Sequence, residues 1–187
     1  LQNNKILIIE AFLNIIEDDS IFSITDIHSN KCTSYWLYLS NPNDKYSLYR
    51  LGKLYHFGTL VPKGINKSIH YYKLALNLPE AANNLGCIYG DEVTCDVEKA
   101  IYFYTIAANQ KFPLAYLNLG ELYVFGVGHH DIKKAIYYYT LASNHNISLA
   151  SYYLGKLYEE GEYVQHDINK AIYYYSLSAE LNDPDAL

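Results

Sequence analysis

From Asp44 onward the apolar positions follow a helical period, and the pattern itself recurs along the chain. Ala100, Tyr104 and Ala107 fall at i, i+4 and i+7, one face of a 3.6-residue helix, and Leu119, Gly120 and Tyr123 share a face in the same way. Leu-Gly followed three residues later by Tyr occurs at Leu51-Gly52/Tyr55, Leu85-Gly86/Tyr89, Leu119-Gly120/Tyr123 and Leu154-Gly155/Tyr158, with the glycines 34, 34 and 35 residues apart. A second block follows each copy: Asn66 to Tyr72, Asp96 to Tyr104, Asp131 to Tyr139 and Asp167 to Tyr175, closed by Ala75, Ala107, Ala142 and Ser178. The pattern predicts first helices over 44–57, 79–90, 113–126 and 148–161, each followed by a second helix over 65–77, 96–110, 131–144 and 167–181.

Local signals agree. Asp96, Asp131 and Asp167 stand just before the second helices, where a short carboxylate caps free N–H groups and meets the positive end of the helix dipole. Gly58, Gly126 and Gly161 suit the ends of first helices, and Pro79, Pro113 and Pro184 suit their starts. In the second unit the connection from Tyr89-Gly90 to Asp96 reads as about three residues shorter than in the others. Glycine inside a helix costs about 1 kcal/mol against alanine. Its recurrence after Leu is therefore expected where the backbone of a partner helix comes close. One helical pair cannot bury its own apolar face, so the pairs must stack.

Leu-Gly-x-x-Tyr, the glycine-containing loop, Asp-x-x-Lys-Ala and Tyr-Tyr-x-x-Ala together resemble the Sel1-like repeat, a relative of the tetratricopeptide repeat. The resemblance implies an all-α, right-handed α/α superhelix (solenoid) of stacked helix-turn-helix repeats, non-catalytic and acting as an adaptor in protein assemblies. Four repeats span 44–78, 79–112, 113–147 and 148–183, with the start of a further helix at 184–187. Residues 1–43 match poorly and read as a degenerate leading repeat or N-terminal cap. Some family members carry a disulfide in each repeat, a pattern this sequence lacks.

Composition narrows the function. Half the residues are apolar and 18% are charged, which fits a packed fold, and the formal net charge is −6. An acidic chain repels phosphate backbones and anionic lipid, so neither nucleic acid nor a membrane surface is expected as a partner. No stretch approaches the roughly 20 apolar residues of a membrane span. Three cysteines, Cys32, Cys87 and Cys95, form no framework, which favours a reducing, cytoplasmic setting. With no Met anywhere, the sequence reads as a fragment or processed form, so a secretory route stays open. In that route alone would the sequons at Asn66 and Asn146 matter.

Candidate chemistry is sparse. His129-His130 beside Asp131 lacks the roughly four converging ligands of structural zinc. Gly126-Val127-Gly128 has neither the strand nor the lysine of a phosphate loop, and Glu159, Glu160 and Glu162 sit at a helix end facing solvent. No catalytic residue, cofactor site or metal site is assigned.

By resemblance to tetratricopeptide repeats, a protein or peptide partner is expected on the concave face. Its lining comes from the first-helix positions Tyr49, Arg50, Lys53, Asn83, Asn84, Leu117, Asn118, Glu121, Tyr152, Tyr153 and Lys156. Asn84 and Asn118 share one repeat position, where an amide can bond both groups of an extended backbone. Self-association through an uncovered terminal repeat is the alternative. Tyr72, Tyr104, Tyr139 and Tyr175 are core by spacing. His70, Tyr102, Tyr137 and Tyr173 point the other way; half-buried packing on the neighbouring unit is favoured over an exposed contact column.

Overall fold

The computed structural model describes residues 43–58, 62–92, 96–126 and 129–182. The leading element expected over 1–43 (its last residue apart), Cys32, Cys95, Val127-Gly128 and the further helix expected at 184–187 lie outside the described residues. Those residues form eight α-helices: α1 (Lys45–Phe57), α2 (Ile65–Leu74), α3 (Pro79–Cys87), α4 (Val97–Asn109), α5 (Pro113–Phe125), α6 (Ile132–Asn144), α7 (Ser148–Glu160) and α8 (Ile168–Asn182). A single π-helical turn, Ile88–Glu92, extends α3. The chain divides into two compact units at Leu78/Pro79. The first holds the pair α1/α2. The second stacks the pairs α3/α4, α5/α6 and α7/α8, with α4 against α5 and α6 against α7.

Each pair is built on one device. The glycine of Leu-Gly faces the core tyrosine of the partner helix: Gly52 meets Tyr72, Gly86 meets Tyr104, Gly120 meets Tyr139 and Gly155 meets Tyr175. A Cβ on Gly120 would lie 2.5 Å from Tyr139 Cδ1, and one on Gly155 would lie 2.8 Å from Tyr175 Cδ1, well inside van der Waals contact. What comes close is thus an aromatic ring and not the partner's backbone, as the sequence had suggested. The small residue makes a slot for the ring, and the neighbouring Leu51, Leu85, Leu119 and Leu154 are all sealed in the core.

A second device closes the loop end of each pair. The tyrosine of Leu-Gly-x-x-Tyr stacks nearly parallel on the aromatic preceding the core tyrosine. The pairs are Tyr55–Tyr71, Tyr89–Phe103, Tyr123–Tyr138 and Tyr158–Tyr174, with centroids 5.4–5.9 Å apart. On that tyrosine sits the motif lysine, Lys67, Lys99, Lys134 or Lys170, with Nζ 4.8–5.4 Å from the ring centroid. In repeats two to four the motif aspartate accepts the backbone N–H of that lysine at 3.0–3.1 Å and also pairs with its ammonium. Asp-x-x-Lys-Ala is therefore cap and clamp together. In the first repeat Gly64 holds the cap position and no side chain caps α2.

The loops differ in length yet close on one bond. The N–H of Gly64, Asp96, Asp131 and Asp167 donates to the carbonyl of Tyr55, Tyr89, Tyr123 and Tyr158, at 2.8–3.0 Å. Measured between these bonded residues the second connection is only one or two residues shorter than the others, not three. The π turn carries the chain from α3 to that shared bond. Gly58 and Gly161 end their helices in the left-handed conformation, whereas Gly126 ends α5 extended.

Candidate protein-interaction groove

Within the second unit, consecutive pairs are joined by side chains. The Tyr116 hydroxyl donates to the Ala108 carbonyl at 3.1 Å, and the Ser143 and Ser151 hydroxyls are bonded at 2.7 Å. On the open side of the first helices, Asn118 Nδ2 donates to Asn83 Oδ1 at 2.9 Å, linking α5 to α3. This bond settles what two of the expected groove residues do. Asn83 and Leu117 are buried, 6% and 7% exposed, and Asn83 is bonded to the neighbouring first helix through Asn118. Asn83 acts as the acceptor that orients Asn118, and Leu117 is core.

Beside that link runs an open groove of about 460 Å³, lined by Cys87, Tyr104, Asn118, Glu121, Phe125 and Tyr153 among others. Of the expected residues, the structure brings Asn118, Glu121 and Tyr153 together here. The Tyr153 phenol is pushed up by burial first and then by the negative charge of Glu121. Cys87, one turn along α3 from Asn83, is a partly buried thiol with Sγ 3.9 Å from Asn83 Nδ2. Asn84 is half-buried on α3, Tyr152 is exposed on α7, and Lys156 pairs with Glu160 at 3.5 Å. Tyr49, Arg50 and Lys53 belong to α1 of the first unit, where Lys53 lies 5.9 Å from the Tyr49 ring centroid.

A smaller pocket, about 160 Å³, opens where the ends of α5 and α7 meet the loop after α7. Val124, Phe125, Tyr139, Tyr153, Lys156, Leu157, Glu160, Glu162 and Tyr163 line it. Of these only Tyr153 and Lys156 were expected in a site. The others were hidden from the sequence because they converge from two repeats and a loop.

The aromatic column falls otherwise than expected. Tyr102, Tyr137 and Tyr173 are 60%, 59% and 61% exposed, each edge-on to the next ring of its own helix at 5.1–5.2 Å. They rest on Phe103, Tyr138 and Tyr174, which already occupy the inward space. His130 is exposed, and its Nδ1 lies 2.8 Å from the Val124 carbonyl. Among the described residues no cluster of His, Cys, Asp and Glu is suited to a metal ion, and no helix is long and apolar enough to cross a membrane.

These features define an all-α repeat solenoid. The Sel1 repeat model matches residues 45–78, 79–112, 113–147 and 148–183, and the chain belongs to the Sel1 repeat family. Among solved structures it is similar to a Sel1 repeat protein from Oxalobacter formigenes, at 31% identity and a TM-score of 0.69, covering 87% of this chain and 65% of that one. It is similar also to c5321, a protective antigen of uropathogenic Escherichia coli with the same repeat fold, at 24% identity and a TM-score of 0.72, over 83% of this chain and 35% of that one. An immunity protein of Pseudomonas aeruginosa, Pa5087, shares the fold at 24% identity and a TM-score of 0.51, over 79% and 56%. This chain thus spans less than two thirds of each. No curated protein matches it significantly. Sel1 repeats commonly serve as protein-interaction scaffolds, and Sel1 repeat proteins are generally non-catalytic.

Proposed function

We propose that this chain is a non-catalytic scaffold whose second unit receives a peptide or partner domain in the groove along α3, α5 and α7. The observation that carries the reading is the set of oriented polar groups in that groove. Asn118 is fixed by Asn83, and Glu121 stands beside Tyr153 with its charge acting on that phenol, so an amide and a carboxylate are in place before a partner arrives. A preorganised amide and carboxylate beside Tyr104 and Tyr153 offer an extended backbone both donors and acceptors at low entropic cost.

The test is quantitative capture of partners by the wild-type chain and by Asn118→Ala/Glu121→Gln, with circular dichroism confirming an unchanged fold. A partner retained by the first and lost by the second supports the groove; equal capture by both overturns it. Self-association is favoured by a different observation, the exposed apolar stripe Ile168, Ile172 and Tyr173 on α8. Sedimentation across a wide concentration range decides it, since a strict monomer removes that reading.

A further inference from the structure

The core tyrosines of the four repeats occupy one slot but meet different partners at their hydroxyls. In the first and fourth repeats the partner is the residue four after the slot glycine. In the first repeat it is His56, whose Nδ1 lies 3.4 Å from the Tyr72 hydroxyl. In the fourth it is Glu159, which accepts from the Tyr175 hydroxyl at 2.6 Å. In the third repeat the same position is Val124, which can do neither. The Tyr139 hydroxyl is buried, in a residue only 1% exposed, with no hydrogen-bond partner among the described residues. Val124 and Tyr139 both line the 160 Å³ pocket.

We propose that this pocket receives one large apolar side chain of a bound peptide, next to a basic residue, with the Tyr139 hydroxyl donating to the peptide backbone. The inference rests on the scaffold reading above and names the partner's chemistry at one point. Three properties of the pocket select that chemistry. Its volume matches cavities that hold a benzene-sized group, so a leucine or phenylalanine side chain fits and an alanine leaves it largely empty.

Its walls are Val124, Phe125, Leu157, Tyr153 and Tyr163, and Phe125 and Tyr163 keep 70% and 48% of their surface exposed at the mouth. Large aromatic rings of that kind anchor partners by shedding water. Its rim is acidic: Lys156 is already paired with Glu160, while Glu162 forms no ion pair among the described residues. Glu121, whose charge also reaches Tyr139, disfavours an anionic ligand there and leaves a neutral backbone carbonyl as the acceptor.

The test uses the full chain, isotope-labelled, titrated in NMR with acetyl-Leu-Arg-amide, acetyl-Ala-Arg-amide and acetyl-Leu-Glu-amide. Saturable shifts at the amides of Val124, Phe125, Leu157 and Tyr163 are expected with the Leu-Arg probe, and binding several-fold weaker with each of the others. Tyr139→Phe should weaken the Leu-Arg probe about fivefold, the size of one net hydrogen bond, while the remaining spectrum is unchanged. Glu162→Gln should abolish the preference for Arg over Glu. Absence of shifts at those amides, equal binding of the Leu and Ala probes, or unchanged affinity in Tyr139→Phe overturns the proposal. Any of these failures leaves the groove reading intact, because Asn118 and Glu121 lie in the groove and do not line this pocket.

Discussion

Replacing one tyrosine hydroxyl by hydrogen should stabilise this protein in one repeat and weaken it in another. Tyr72, 0% exposed, holds its hydroxyl 3.4 Å from His56, itself buried; Tyr72→Phe removes that contact and should cost about 1 kcal/mol. Tyr139 is equally deep, but its hydroxyl has no partner among the described residues, so the folded state bears the desolvation of a polar group without the bond that would offset it. Such a group costs about 1–3 kcal/mol, and the Phe ring fills the same slot over Gly120. Tyr139→Phe should therefore stabilise by about 1 kcal/mol, raising the melting temperature by about 2–4 °C for a chain of this size. Tyr175→Phe is the internal control. Its hydroxyl bonds Glu159 at an exposed site, so its removal should change stability by less than about 0.5 kcal/mol. The assay is urea and thermal unfolding by circular dichroism, comparing midpoints at constant slope. If Tyr139→Phe destabilises as much as Tyr72→Phe, the hydroxyl has a partner inside the fold and the reasoning fails.

Gly120→Ala puts a methyl group 2.5 Å from a ring atom of buried Tyr139, and the overpacking should cost about 1–3 kcal/mol, outweighing the roughly 1 kcal/mol of helix propensity gained; a variant as stable as wild type would refute the slot. Burial raises the phenols of Tyr138, Tyr139 and Tyr174 above their ordinary value of 10.0, so the folded state holds those protons more tightly than the unfolded chain. The stability this contributes is complete below pH 10.0 and lost as pH rises beyond it; the last phenolate absorbance to appear, that of these three rings, should come together with loss of helix, and ionisation of every tyrosine near pH 10.0 with the helices intact would contradict it.

The helices were legible because two physical constraints recur: a helical apolar face whose glycines are 34, 34 and 35 residues apart, and, in the last three repeats, a short carboxylate before the second helix at spacings of 35 and 36. The observed ends differ from the expected ones by a residue or two, apart from α2, which stops at Leu74, and α3, which gives way to a π turn at Ile88. What the glycine makes room for was not legible, since a missing Cβ states that something is near without saying what. Asn83 and Leu117 show the same limit. Their place beside Leu-Gly suggests the groove, but whether that position faces a partner or the next first helix depends on how closely the pairs stack, and here they are buried. The pocket at Tyr139 was out of reach for another reason. Val124 and Tyr163 lie in different repeats and meet only through the conformation of a loop.

The position four after the slot glycine separates what the fold requires from what it leaves open. Glycine, leucine and tyrosine are repeated because the slot admits little else, and Asp-x-x-Lys is repeated because one carboxylate both caps a helix and holds its lysine. By contrast His56, Gly90, Val124 and Glu159 have no size or charge in common. In the first and fourth repeats that residue, His56 or Glu159, meets the hydroxyl at the end of the ring slot. Where it does, the tyrosine is structural alone. Where Val124 does not, the repeat carries an unsatisfied donor beside apolar walls, a local cost that a bound carbonyl would remove. Tyr139→Phe is thus expected to raise stability and lower affinity together, a pairing that neither a purely structural tyrosine nor a purely adventitious pocket produces.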